Sequence, residues 1–180
     1  MDCATNQSIC TATCKKGYNT EYLYYALKVA EKTIKKQGIG TSFKSLNQSA
    51  FSSIEILFPA IEIQDKFAAI AKQADKSKFG DFKSQFIEMY HKTHNTQTLE
   101  SVCAIISKGI TPKYVDFSSV AVVNQACIQW DGQHLENIKY HNEEILFKKR
   151  TLQTGDVLLN ATGTGTLGRC CVFNCPSNDN

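Results

Sequence analysis

The densest concentration of residues able to do chemistry is DVLLNATGTGTLGR, residues 156–169, where Gly163, Gly165 and Gly168 fall in G-x-G-x-x-G spacing after a strand-like run. In a dinucleotide site that spacing joins a strand to a helix whose N-terminus faces the pyrophosphate. A nucleotide-binding oxidoreductase therefore needs a helix after Gly168 and an acid about 20 positions later. The chain instead continues as RCCVFNCPSNDN, strand-like and then turn-like, with Asp179 the only acid that follows. A Walker-type phosphate loop is not indicated either, since no Gly-Lys-Ser/Thr appears.

Other reactive groups are sparse. Glu143 and Glu144 are adjacent carboxylates on a polar segment, the pattern of solvated charges rather than of an acid–base pair. His91 and His94 lie three residues apart in a polar stretch without a third ligand. The eight cysteines (Cys3, Cys10, Cys14, Cys103, Cys127, Cys170, Cys171, Cys175) lack C-x2-C pairs and neighbouring histidines, so a zinc site is not expected. They read as small apolar residues. No metal and no catalytic constellation is predicted.

The elements that must position these groups follow from periodicity. A chain of 180 residues, 42% hydrophobic and 21% charged, suits a folded protein with a real core. No basic-then-apolar leader is visible and no apolar run approaches the ~20 residues of a membrane helix, so a cytoplasmic location is expected. The net charge of +3 has no strongly basic stripe. YNTEYLYYALKVAEKTIKKQG predicts a helix with Asn19 as N-cap, a buried face of Leu23, Leu27, Ala30 and Ile34, and Gly38 as a left-handed stop. SSIEILF predicts a strand ended by Pro59.

A second helix is predicted from about Gln64 to Tyr90. Phe67, Ile70, Ala74, Phe82, Phe86 and Met89 form its seam at three- and four-residue steps, with Gly80 as a weak point. The seam fits equally a helix needing a partner and a helix lying on its own core. KTHNTQT, residues 92–98, reads as a polar hinge, and the chain beyond it as mostly strand: LESVCAIISKGITPKY, VAVVNQACIQW and GDVLLNAT. ATNQSI and VVNQACI both set Asn-Gln in an apolar run, a faint internal echo.

Several of these segments together resemble the DNA specificity subunit of type I restriction–modification systems. LQTGDVLLNATGTGTLGRCCVF is similar to that family's G-D-[IV]-L…G-x-G-x-x-G-R strand–loop–strand, LESVCAIISKGITPKY to its opening G-x-T-P segment, and VVNQACI to the strand after it. YNTEYLYYAL and GTSFKSLNQSAFSSIEILFPAIEIQDKFAAI resemble the close of such a domain, although Ala60 stands after Pro59 and Ile63 before Gln64 where the family has a second proline and a Glu-Gln pair.

The order is inverted. Residues 1–62 resemble the back half of a target-recognition domain, 63–96 a spacer helix and hinge, and 97–180 the front half of a following domain. The implied fold is α+β, with mixed, β-rich domain parts flanking a long coiled-coil-like spacer helix, which favours the partner-seeking reading of the seam. The resemblance implies a non-catalytic subunit that binds double-stranded DNA. Methyltransferase subunits dock on its spacer and the restriction subunit acts through them, with S-adenosylmethionine, ATP and Mg²⁺ bound in those partners and no cofactor in this chain. It points to Thr41, Ser42, Lys44, Lys113, Thr164, Thr166 and Arg169 as DNA contacts, and to Gly163, Gly165 and Gly168 as turn formers. Two arrangements fit the inverted order: a half-length subunit completed by homodimerisation, or a fragment of a longer subunit, which the end at CPSNDN suggests.

Overall fold

The computed structural model describes residues 2–40, 44–73, 84, 86–88, 90, 92, 94–142 and 151–175. Two four-stranded sheets and a layer of helices make up its body. The central sheet has the order β10 (Cys170–Val172), β9 (Val157–Asn160), β2 (Ile9–Cys14), β5 (Cys103–Lys108), all antiparallel. The outer sheet has the order β1 (Asp2–Thr5), β7 (Val120–Val123), β8 (Lys139–His141), β6 (Tyr114–Val115), with β1 and β7 parallel. A short ribbon pairs β3 (Glu55–Leu57) with β4 (Thr96–Thr98).

Strand periodicity explains the layering. Side chains alternate across a sheet, and a sheet covered on both faces needs apolar residues at every position. In the central sheet Cys10, Ala12, Val157, Leu159 and Cys170 enter the core shared with the helices. Their neighbours Ile9, Leu158 and Cys171 turn the other way and meet Cys3, Ala121 and Val123 of the outer sheet. The cysteines serve as the small side chains this close packing admits. Burial pushes the Cys10 thiol up to about 11 and the Cys170 thiol to about 12, so both stay protonated. Among the described residues no group of three His, Cys, Asp or Glu is placed to hold a metal.

Each large sheet takes one strand from residues 1–62 and three from 97–180. The join is fixed by specific contacts. Asp156 is buried, accepting from Thr13 Oγ1 at 2.6 Å across the sheet and from the Gln153 backbone N–H at 2.8 Å. Gly109 lies so close to the end of β1 that a Cβ there would sit 2.0 Å from the Asn6 carbonyl oxygen.

The first helix forms as predicted, with Asn19 Oδ1 accepting from the Tyr22 N–H at 3.2 Å and Leu23, Leu27, Ala30 and Ile34 buried. It breaks at Ala30 into α1 (Thr20–Val29) and α2 (Glu31–Gln37). Gly38 is not a left-handed stop: its φ is −62°. The site is instead tight, since a Cβ would meet Leu167 Cδ2 at 3.0 Å and Lys44 Cβ at 3.2 Å.

The long spacer helix is the larger correction. Helix α4 covers Ile61–Gln73, and residues 84, 86–88 and 90 are helical as well. The Phe67 and Phe86 rings nevertheless pack at 4.5 Å between centroids. On one straight helix 19 residues span about 28 Å, so these two cannot share an uninterrupted rod. Both rings instead close on Tyr22 of α1, at 5.8 and 5.6 Å, and both are buried in the main core. Of the seam, Ile70 is 51% exposed, while Ala74, Phe82 and Met89, like Gly80, lie outside the described residues. Nor is residues 92–98 a hinge throughout, because Thr96–Thr98 forms β4 against β3. A short helix, α3 (Gln48–Ser52), precedes β3, and another, α5 (Leu99–Val102), leads from β4 into β5.

Candidate functional site

The glycine stretch is the connection of the β9–β10 hairpin. Gly168 is followed, after Arg169, by β10 and not by a helix, so the strand–turn–helix order of a dinucleotide site is absent. Within it, Leu167 N–H donates to the Gly163 carbonyl at 3.1 Å and Gly168 N–H to the Asn160 carbonyl at 3.0 Å. Gly163 and Gly168 have φ of +103° and +91°, the left-handed region that glycine alone enters without strain. Gly163 is doubly required, since a Cβ would also meet Thr166 Oγ1 at 2.3 Å. Gly165 is different. It has no positive φ and nothing within 4 Å of a Cβ position, so the turn does not demand it. It sits exposed with Thr164 at the tip of the loop.

Lys44 comes from the other part of the chain and reaches the same loop. Its carbonyl accepts from the Gly163 N–H at 3.2 Å, and Ser45 bridges Thr162. Thr166 turns inward, its hydroxyl donating to the Thr162 carbonyl at 2.8 Å. Arg169 donates from Nη1 to Gln129 Oε1 at 2.6 Å and lies 5.9 Å over the Trp130 ring. Lys35 caps the same ring at 5.4 Å and is paired with Glu31. Trp130, 39% exposed, thus sits between two cations beside the loop. Of the sequence candidates, Lys44, Thr164, Thr166 and Arg169 gather here. Thr41 and Ser42 lie outside the described residues, as do His91, Glu143 and Glu144.

Lys113 lies apart, on the outer sheet. Its backbone N–H donates to Nδ1 of the buried His141 at 2.9 Å, which leaves its side chain exposed beside Tyr114. Next to it is an open depression of about 460 Å³ lined by Asn6, Tyr114, Asn124, Gln125, Asn137 and Lys139. Lys139 Nζ stands 5.2 Å over the Tyr114 ring, and Phe117, 79% exposed, packs on Tyr140 at the same edge.

Sequence reasoning did not place Asn6, Asn124, Gln125 or Trp130 in a site, although the Asn-Gln echo was a signal for the first three. Strands β1 and β7 run parallel with Thr5 beside Val123, so Asn6 and Asn124 end the two strands side by side. Each folds the same local turn: Asn6 Oδ1 accepts from the Ser8 N–H at 3.1 Å and Asn124 Oδ1 from the Ala126 N–H at 2.8 Å. Gln125 then ties the depression to the glycine loop, donating from Nε2 to the Thr162 carbonyl at 2.8 Å and to Thr162 Oγ1 at 2.9 Å. The two clusters therefore form one continuous surface of amides, hydroxyls, aromatic rings and lysines.

Residues 1–81 match the family model of the type I restriction modification DNA specificity domain. No curated protein and no solved structure matches the chain. No described helix is long and apolar enough to cross a membrane.

Proposed function

We propose that the chain reads DNA sequence as the specificity element of a type I restriction–modification assembly, directing methylation and cleavage by partner subunits. The observation that carries this reading is the specificity-domain match over residues 1–81, together with sheets in which those residues pair with 97–180 inside one chain. On this reading the chain is a target-recognition domain with its halves in exchanged order. Its back half completes its front half in cis, so a second copy is not needed to close the sheets.

The surface supports the chemistry of reading. Lys44 and the exposed Thr164–Gly165 tip suit a phosphate backbone, which approaches glycine closely, and the amide-walled depression suits the approach of base edges. Methyltransferase subunits would bind S-adenosylmethionine, and the restriction subunit ATP and Mg²⁺. Because Phe67 and Phe86 are consumed in the core, docking on the helical segment would use its exposed side, where Ile63 and Ile70 face outward.

The test is co-expression with a type I methyltransferase subunit and mapping of methylated genomic positions with and without this chain. A methylation motif that appears only with the chain, and co-purification of the two, is the expected result. An unchanged methylation pattern refutes the reading.

A further inference from the structure

The depression at the ends of β1 and β7 has a feature its twin-turn geometry makes specific. In Asn124 both ends of the amide are used: Oδ1 holds its own turn and Nδ2 donates to the Asn137 carbonyl at 2.8 Å. Gln125 spends its Nε2 on Thr162. Asn6 forms the same turn through Oδ1, but its Nδ2 has no partner among the described residues. Its Oδ1 retains a second lone pair after accepting from Ser8. One amide of the cluster is thus pre-oriented by its turn and by the close approach of Gly109, and keeps one donor and one acceptor side by side.

That pair of groups complements adenine, which offers an N7 acceptor beside an N6 donor in the major groove. The rim supplies what else a duplex needs. Lys113 and Lys139 carry positive charge, and the exposed rings of Tyr114 and Phe117 offer apolar surface for sugars and for the thymine methyl group. We propose that Asn6 is the specificity-determining residue for one adenine in the DNA target, donating from Nδ2 to N7 and accepting at Oδ1 from N6. Asn124, Gln125 and Asn137 act as the wall that holds it, not as readers. This rests on the DNA-recognition reading above and assigns one base of it to one side chain.

The experiment is selection from a randomised duplex pool by the intact chain, repeated with Asn6→Asp and Asn6→Ser. Aspartate keeps the acceptor for the Ser8 N–H, so the turn survives, but it can accept only, which suits cytosine N4. The expected result is a wild-type motif with one fixed adenine, changed to cytosine by Asn6→Asp and relaxed by Asn6→Ser, with the other positions unchanged. Placing 7-deazaadenine at that position should weaken wild-type binding about tenfold and leave Asn6→Ser unaffected. A folded Asn6→Asp or Asn6→Ser variant that keeps the wild-type motif and affinity overturns the assignment but leaves DNA recognition standing. Should both variants fail to fold, 7-deazaadenine substitution at each adenine of the wild-type motif decides, and no effect at any of them overturns the assignment. A wild-type chain that enriches no motif overturns both.

Discussion

Replacing Gly109 with alanine tests the join between the two parts of the chain. The added Cβ would lie 2.0 Å from the Asn6 carbonyl oxygen and 2.4 Å from both the Asn6 carbonyl carbon and the Thr5 oxygen. These are backbone atoms, and β1 cannot retreat because its other edge is paired to β7. Relief requires parting two hydrogen bonds, Gly109 N–H to the Ile9 carbonyl at 3.0 Å and Ile110 N–H to the Thr5 carbonyl at 2.8 Å. Each contributes about 1 kcal/mol, and overpacking of a well-packed site adds about 1–3 kcal/mol. The expected loss is therefore about 3–5 kcal/mol, which at about 2–4 °C per kcal/mol lowers Tm by roughly 6–20 °C. Urea unfolding followed by far-UV circular dichroism and by fluorescence of the single tryptophan, Trp130, measures it. Gly165→Ala is the control, expected within about 1 kcal/mol of wild type because its site is open and its φ ordinary. Stability of Gly109→Ala within about 0.5 kcal/mol of wild type would refute the contact, and with it the seating of β1 against the 103–110 segment.

Phe86→Ala should cost about 3–5 kcal/mol in the same denaturation assay, since the ring is fully buried against Tyr22 and Phe67; a cost below about 1 kcal/mol would return Phe86 to a projecting spacer. Asp156→Ala should lose about 1.5–3 kcal/mol, and a double-mutant cycle with Thr13→Val should show coupling across the β2–β9 pair. His134, exposed between Glu136 and Asp131, titrates above its ordinary value because both carboxylates favour the imidazolium. Its ion pairs therefore stabilise the fold fully below the unfolded-state pKa and are lost as pH rises through the folded value. NMR titration should show that raised midpoint in wild type and its fall in the Asp131→Asn, Glu136→Gln double variant.

Local signals in the sequence were accurate where the residue's own backbone decides the outcome. Asn19 caps α1 because its side chain reaches Tyr22, and Gly163 and Gly168 turn because their φ values demand it. They failed where distant packing decides. Gly38 looked like a left-handed helix stop, yet its φ is −62° and it packs against Leu167, far along the chain. The Phe67–Met89 seam has helical spacing, but periodicity cannot tell an apolar stripe that meets another subunit from one that meets Tyr22. The Asn-Gln echo was legible as a repeat but not as a site, because only the parallel pairing of β1 with β7 brings Asn6 beside Asn124.

Strand β2 is flanked on both edges by strands that come much later in the chain. Its partners β5 and β9 lie far downstream, with Ile9 facing Asn160 about 150 residues away. At a synthesis rate of about 5–20 residues per second, roughly 8–30 s separate the emergence of Ile9 from that of its mate. Through that interval an apolar strand waits with an open edge, with both edges open until β5 emerges, the kind of surface that recruits chaperones or pairs with the wrong chain. The inverted order thus sets a kinetic condition on the protein: its central sheet cannot close until Val157–Val172 has been made.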